Sequence, residues 1–148
     1  MNKKPIKILL ADDDEDDRLF FKEAIDELNL NTELTIVEDG EKLMNNLLDP
    51  TIEMPHVIFL DLNMPCKSGM ECLSEIRDSE LLASLTVAIY STSSSEEDIE
   101  QSFVKGANIY IKKPNDFESL KKVLNRVITT NWQYFSSGMN KENFLLSI

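Results

Sequence analysis

The sequence predicts an α/β protein, a doubly wound sheet of five parallel strands with helices on both faces. Three observations predict it. Short apolar runs alternate with stretches of helical period in five rounds; the runs are apolar throughout, as strands buried on both faces require; and capping or turn residues separate the two kinds of segment.

The strands are expected at Ile6–Ala11, Glu33–Val37, His56–Leu60, Thr86–Tyr90 and Asn108–Ile111. Leu19, Phe20, Ala24, Ile25 and Leu28 mark the first helix. Leu43, Met44, Leu47 and Leu48 mark a second that opens near Asp39 and closes at Pro50. The third opens at Ser68 with Glu71 three residues on, a capping box, and turns Met70, Leu73 and Ile76 inward. The fourth starts in the run Ser93-Ser94-Ser95 and stops near Gly106, with Ile99, Phe103 and Ala107 facing the core. The fifth is expected to begin with Asn115 as cap and Glu118 at its third position, and Leu120, Val123, Leu124, Val127 and Ile128 form its buried stripe.

At 148 residues and 42% hydrophobic content, one domain with a real core is expected, taken as residues 1–130. Residues 131–148 are too few for a second core. Their Trp132, Tyr134, Phe135, Phe144, Leu145 and Leu146 suit a tail that extends or covers the fifth helix, with a docking or dimer surface as the alternative. A net charge of −12 and no segregated basic patch set nucleic-acid binding aside. No apolar run approaches the roughly 18 to 20 residues of a membrane helix. Cys66 and Cys72 form neither a CxxC pair nor a metal set, so reduced thiols and a cytoplasmic location are expected.

The chemistry belongs at the carboxyl ends of the strands, where such sheets bind their ligands. The first strand runs into Asp12-Asp13-Asp14-Glu15-Asp16-Asp17 and the third into Asp61-Leu62-Asn63-Met64-Pro65. In the flavodoxin-like order 2-1-3-4-5 strands one and three are neighbours, so Asp12, Asp13 and Asp61 converge and repel one another. A hard divalent cation answers that repulsion, and Mg²⁺ suits a site of few carboxylates that also takes a phosphoryl group. Ser91 after the fourth strand supplies a hydroxyl and Lys113 after the fifth a mobile positive charge. A carboxylate between a cation and a lysine is placed as a nucleophile towards phosphorus, which makes Asp61 the candidate nucleophile. Asp14 adjoins the acidic pair and could replace one of its members as a ligand, but Asp12 and Asp13 follow the strand most closely.

Taken together, Ile8-Leu9-Leu10-Ala11-Asp12-Asp13, Val57-Ile58-Phe59-Leu60-Asp61-Leu62-Asn63-Met64-Pro65 with Gly69, Tyr90-Ser91-Thr92, Gly106-Ala107 and Tyr110-Ile111-Lys112-Lys113-Pro114 resemble the CheY-like response-regulator receivers of two-component signalling. The resemblance covers Lys7 to Ile128. It implies that Asp61 is phosphorylated, that Asp13 binds Mg²⁺ directly and Asp12 mainly through water, and that Asn63 contributes its main-chain carbonyl. Ser91, Thr92 and Lys113 would serve the phosphoryl group, and Tyr110 would be the aromatic switch that turns inward on activation. Pro65, Gly69 and Pro114 would shape the loops, with Lys113–Pro114 in the cis form usual for the family. The family often carries Thr where this chain has Ser91, a change that keeps the hydroxyl and drops a methyl.

The implied partners are a sensor histidine kinase or histidine phosphotransfer protein and a downstream protein that docks on the fourth helix, fifth strand and fifth helix. A homodimer is also open. Output is expected through binding, with no enzymatic activity beyond Mg²⁺-dependent self-phosphorylation and autodephosphorylation.

Four other readings fit these residues less well. A haloacid-dehalogenase-type phosphatase needs an acid two residues after its nucleophile, where this chain has Asn63. A flavodoxin would meet its FMN phosphate with six carboxylates. A calcium loop over Asp12, Asp14, Asp16 and Glu23 would need Gly at Asp17. A pseudo-receiver that takes no phosphate is opposed by the complete set Asp12, Asp13, Asp61, Ser91 and Lys113.

Overall fold

The computed structural model describes residues 4–130 and 145–146. Its elements in chain order are β1 (Ile6–Ala11), α1 (Glu15–Leu28), β2 (Thr32–Val37), α2 (Gly40–Leu48), β3 (Val57–Leu60), α3 (Gly69–Asp78), β4 (Thr86–Ser91), α4 (Glu96–Val104), β5 (Ile109–Lys112), α5 (Phe117–Thr129) and β6 (Leu145–Leu146). All pairings are parallel and the sheet order is β2-β1-β3-β4-β5-β6. The expected 2-1-3-4-5 order is present, with one short strand added outside β5.

Because strand side chains alternate between faces, each apolar run feeds two cores. Ile8, Leu10, Val57, Phe59, Ala88, Tyr90, Ile109 and Ile111 meet α1 and α5 on one face. Leu9, Ala11, Ile58, Leu60, Val87, Ile89 and Tyr110 meet the residues of α2 and α3 on the other. The aromatic rings of Phe21, Phe59 and Tyr90 stack edge to face in the first of these cores, with centroids 5.0 to 6.4 Å apart.

Each helix starts on a side-chain cap. Asp14 accepts from Asp17 N, Asp39 from Lys42 N, Ser68 from Glu71 N within the expected capping box, and Ser95 from Asp98 N. α5 differs from expectation: its cap is Asp116, which accepts from Ser119 N, and Asn115 lies outside the helix. An ionised carboxylate at the positive end of a helix is a stronger acceptor than the neutral amide one residue earlier. α4 ends in a Schellman motif, with Ala107 N donating to Ser102 O, Gly106 N to Phe103 O, and Gly106 at φ +99°.

Among the described residues every peptide bond is trans, Lys113–Pro114 included, so the cis bond implied by the resemblance is not found. The lysine is aimed without it: Lys113 N donates to Ser91 O at 2.8 Å, which continues the β4–β5 ladder and fixes the backbone beneath the side chain.

Of the apolar tail, Trp132, Tyr134, Phe135 and Phe144 lie outside the described residues. Leu145 and Leu146 pair with Tyr110 and Ile111, so this part of the tail joins the edge of the sheet and not α5. Among the described residues no helix is long and apolar enough to cross a membrane.

Candidate functional site

β1 and β3 deliver their acids side by side because their ladders run in register, Ala11 against Leu60. Asp61 N donates to Ala11 O at 3.0 Å and Asp12 N to Val37 O at 3.1 Å, so both acids stand where the sheet stops. Asp12 is fully buried, Asp61 is 6% exposed and Asp13 faces solvent. Carboxylate oxygens of Asp12, Asp13 and Asp61 all lie within 4.8 Å of one another. Three hard oxygen donors, two of them buried, can hold a divalent cation, and the mutual repulsion of the acids favours one. Asp14 is turned away as the α1 cap, while its N–H donates to Asp12 Oδ1 at 3.0 Å.

Lys113 provides the positive charge. Its side chain is 7% exposed, and Nζ lies 2.8 Å from Asp12 Oδ2, 2.8 Å from Asp17 Oδ2 and 3.5 Å from Asp61 Oδ2. Its ammonium also sits over the Tyr90 ring, 5.3 Å from the centroid. Burial pushes the Asp61 carboxyl up to about 6, with Lys113 pulling it back and Asp12 adding to the rise. Burial likewise raises Asp12, against the bond to Lys113. For Lys113 burial works against the ammonium, but its contacts with Asp12 and Asp17 outweigh that and hold it above its ordinary value.

The loop after β3 is shaped by close approaches. A Cβ at Gly69 would stand 2.2 Å from Asp61 O, so only glycine lets α3 begin against the backbone of Asp61. Exposed Pro65 leads into a γ-turn centred on Cys66 at φ +68°, closed by Lys67 N donating to Pro65 O at 2.7 Å. Asn63 is exposed, and its N–H makes a long contact of 3.4 Å to Asp61 Oδ1. Pro114 is half-buried beside Lys113.

Ser91 is fully buried at the end of β4, and its Oγ accepts from Ser93 N at 3.1 Å; Thr92 is exposed. Tyr110 is also fully buried, with its hydroxyl donating to Ser93 O at 2.8 Å. The inward position that the resemblance assigns to activation is therefore the one found. Ser93 Oγ in turn donates to Asp98 Oδ2 at 2.7 Å, which ties the β4–α4 loop to α4.

Sequence reasoning missed Asp17 and Arg18. Arg18 Nη1 donates to Asp12 O at 3.0 Å. A signal for Asp17 was available: it lies four and seven residues before Phe21 and Ala24, the buried stripe of α1, so it shares the face that looks onto the sheet. A cavity of about 440 Å³ opens at the opposite edge of the sheet, lined by Ile6, Met54, His56, Leu85, Val127 and Thr130 among others, and holds none of these groups.

Comparison with known proteins agrees with this geometry. The response regulator receiver domain family matches residues 8–125. The probable methanogenesis regulatory protein FilR2 of Methanothrix harundinacea is 29% identical over 126 residues, spanning 83% of this chain and 81% of its own. Response regulator Rcp1 of Synechocystis sp. is 32% identical over 124 residues, spanning 81% of this chain and 84% of its own. The crystal structure of the Mn(2+)-bound form of Rcp1 matches with a TM-score of 0.80 over 86% of this chain and 97% of that one, at 29% identity. The phosphorylated cyanobacterial phytochrome response regulator RcpA matches with a TM-score of 0.77 over 83% of this chain and 91% of that one, at 31% identity. The strand-end acids, the lysine after β5, the sheet order and the family match agree, and the chain belongs to the response regulator receiver domains of two-component signalling.

Proposed function

We propose that this receiver is a phosphorylation switch in which Asp61 accepts a phosphoryl group with the help of Mg²⁺. The observation that carries the reading is the placement of Asp61 between a carboxylate group suited to a divalent cation, which it forms with Asp12 and Asp13, and the Lys113 ammonium 3.5 Å away on its other side. Mg²⁺, held by Asp12, Asp13, Asp61 and the main-chain carbonyl of Asn63, would offset negative charge on the phosphoryl oxygens. The donor is a phosphohistidine on a sensor histidine kinase or a histidine phosphotransfer protein. An Asp61 oxygen attacks phosphorus as the P–N bond breaks, and the histidine nitrogen leaves with the electron pair and takes up a proton. Lys113, the Ser91 hydroxyl and Thr92 then bind the transferred group.

Two relatives support this reading, one in a structure described as Mn(2+)-bound and the other in a structure described as phosphorylated. The output is a change in partner affinity. Ser91 and Tyr110 both connect to Ser93, so a shift of Ser91 towards a phosphoryl group reaches the start of α4 through the bonds already described. A downstream protein, or a second copy of the chain, would read the face made by α4, β5 and α5. We take residues 1–130 as the cytoplasmic receiver unit and 131–148 as its tail, with no enzymatic role beyond self-phosphorylation and its reversal.

The test is intact mass after incubation with acetyl phosphate, with and without Mg²⁺, on the wild type and on Asp61→Asn. A phosphoryl adduct that requires both Mg²⁺ and Asp61 is expected. A folded wild type that gains none, beside a control receiver that does, would identify a pseudo-receiver acting through its surface.

A further inference from the structure

Lys113 is shared between carboxylates with different allegiances. Asp12 and Asp61 belong to the acidic group that can hold a cation, whereas Asp17 stands on the first turn of α1, outside that group. Yet Asp17 Oδ2 accepts from Lys113 Nζ at 2.8 Å, the same distance at which Nζ approaches Asp12 and closer than its 3.5 Å to Asp61. The position of Asp17 is fixed from behind, because its own N–H donates to the Asp14 cap at 2.9 Å. An ammonium has three N–H donors, and a phosphoryl group on Asp61 must claim at least one of them.

We propose that Asp17 is a positioning residue that tethers Lys113 towards α1, keeps the ammonium from closing on Asp61, and competes with phosphoryl oxygens for it. The proposal rests on the reading of Asp61 as the phosphoacceptor. Asp17 thereby weakens the phosphorylated state relative to a chain whose lysine has only the strand-end acids as partners. The effect is modest in size, because Asp17 is 36% exposed and its pair with Lys113 is partly screened.

Beryllofluoride, a phosphoryl mimic, separates the tether from general charge effects. Its affinity in saturating Mg²⁺, and the affinity for Mg²⁺ alone, are measured by calorimetry on the wild type, Asp17→Asn, Asp17→Glu and Asp16→Asn. Asp16→Asn removes an equal charge from the same turn of α1 and leaves Lys113 untouched. Asp17→Asn should bind beryllofluoride about fivefold more tightly, with Mg²⁺ affinity changed by less than about threefold; Asp17→Glu should fall between it and the wild type, and Asp16→Asn should match the wild type. In the metal-free protein, reductive methylation of Lys113 followed by mass mapping should be faster in Asp17→Asn than in wild type. Equal beryllofluoride affinity in wild type and Asp17→Asn overturns the tether while leaving the switch intact. A wild type that binds no beryllofluoride overturns the reading of Asp61 and this proposal with it.

Discussion

Arg77 Nη2 donates to Asn108 Oδ1 at 2.8 Å, and the same oxygen accepts the Val87 amide at 2.8 Å, so one side-chain amide joins the end of α3 to the starts of β4 and β5. The rest of the guanidinium is used as well, by Gly106 O at 2.8 Å, Leu85 O at 2.7 Å and Ala83 O at 3.0 Å. Arg77→Ala takes the guanidinium donor from the half-buried Gly106 O and Leu85 O and should cost about 2–4 kcal/mol in urea unfolding. Arg77→Lys should recover little of that, because one ammonium cannot span carbonyls that the planar fork reaches together.

Gly69→Ala places a methyl 2.2 Å from Asp61 O and 2.7 Å from Leu62 Cα, where the neighbour is backbone and cannot step aside. A loss of about 3 kcal/mol is expected. The fraction that remains folded should also take up phosphoryl groups from acetyl phosphate more slowly than wild type, because α3 can be relieved only by moving the Asp61 backbone. Unchanged stability would mean that the loop tolerates a shift that the contacts exclude.

Tyr110→Phe removes the donor to Ser93 O and leaves a half-buried carbonyl to find another partner. About 1 kcal/mol of stability should be lost. Hydrogen exchange should rise selectively at Ser95 and Asp98, whose amides bond the side chains of Ser93 and Ser95, and remain unchanged in β1 and β3.

The two cysteines should separate by pH and by access. Cys72 is fully buried against Gly40 O, and burial pushes its thiol up to about 11. Iodoacetamide at about pH 8 should therefore alkylate exposed Cys66 and spare Cys72 in the folded protein. The linkage runs the same way. Between the unfolded thiol value near ~8.5 and the folded value the native state binds the extra proton, so the contribution of Cys72 is present at neutral pH and lost as pH rises through that window. Urea midpoints falling over that interval in wild type, and less so in Cys72→Ala, would check it.

Much of this molecule could be read from its chain, and the parts that could not share a physical reason. β3 was legible because Val57-Ile58-Phe59-Leu60 is apolar on both faces, as a central parallel strand must be, and Asp61 followed from it by the rule that ligands bind at strand ends. The convergence of Asp12, Asp13 and Asp61 needed only the strand order. Asp17 was hidden because six acids in succession read as one solvated run, and the helical face that singles it out becomes visible only once the start of α1 is fixed at Asp14. Arg77 was hidden for the opposite reason, since a cation in the last turn of a helix is already accounted for by the helix dipole. Asn115 and Asp116 are adjacent residues that both cap helices well, and the charge of Asp116 together with Ser119, which bonds it through both its N–H and its hydroxyl, decided between them. Leu145 and Leu146 carry no period at all, so nothing in the chain announced a strand there.

That sixth strand gives the sheet an edge of unusual character. Among the described residues, Tyr110 and Ile111 pair across it with Leu145 and Leu146, and Leu145 keeps 41% of its surface in water. A ladder this short opens at a small fraction of the free energy needed to unfold the domain, on the scale of fraying termini. Amide exchange at this edge should therefore report local opening, and exchange in β1 and β3 the stability of the whole domain.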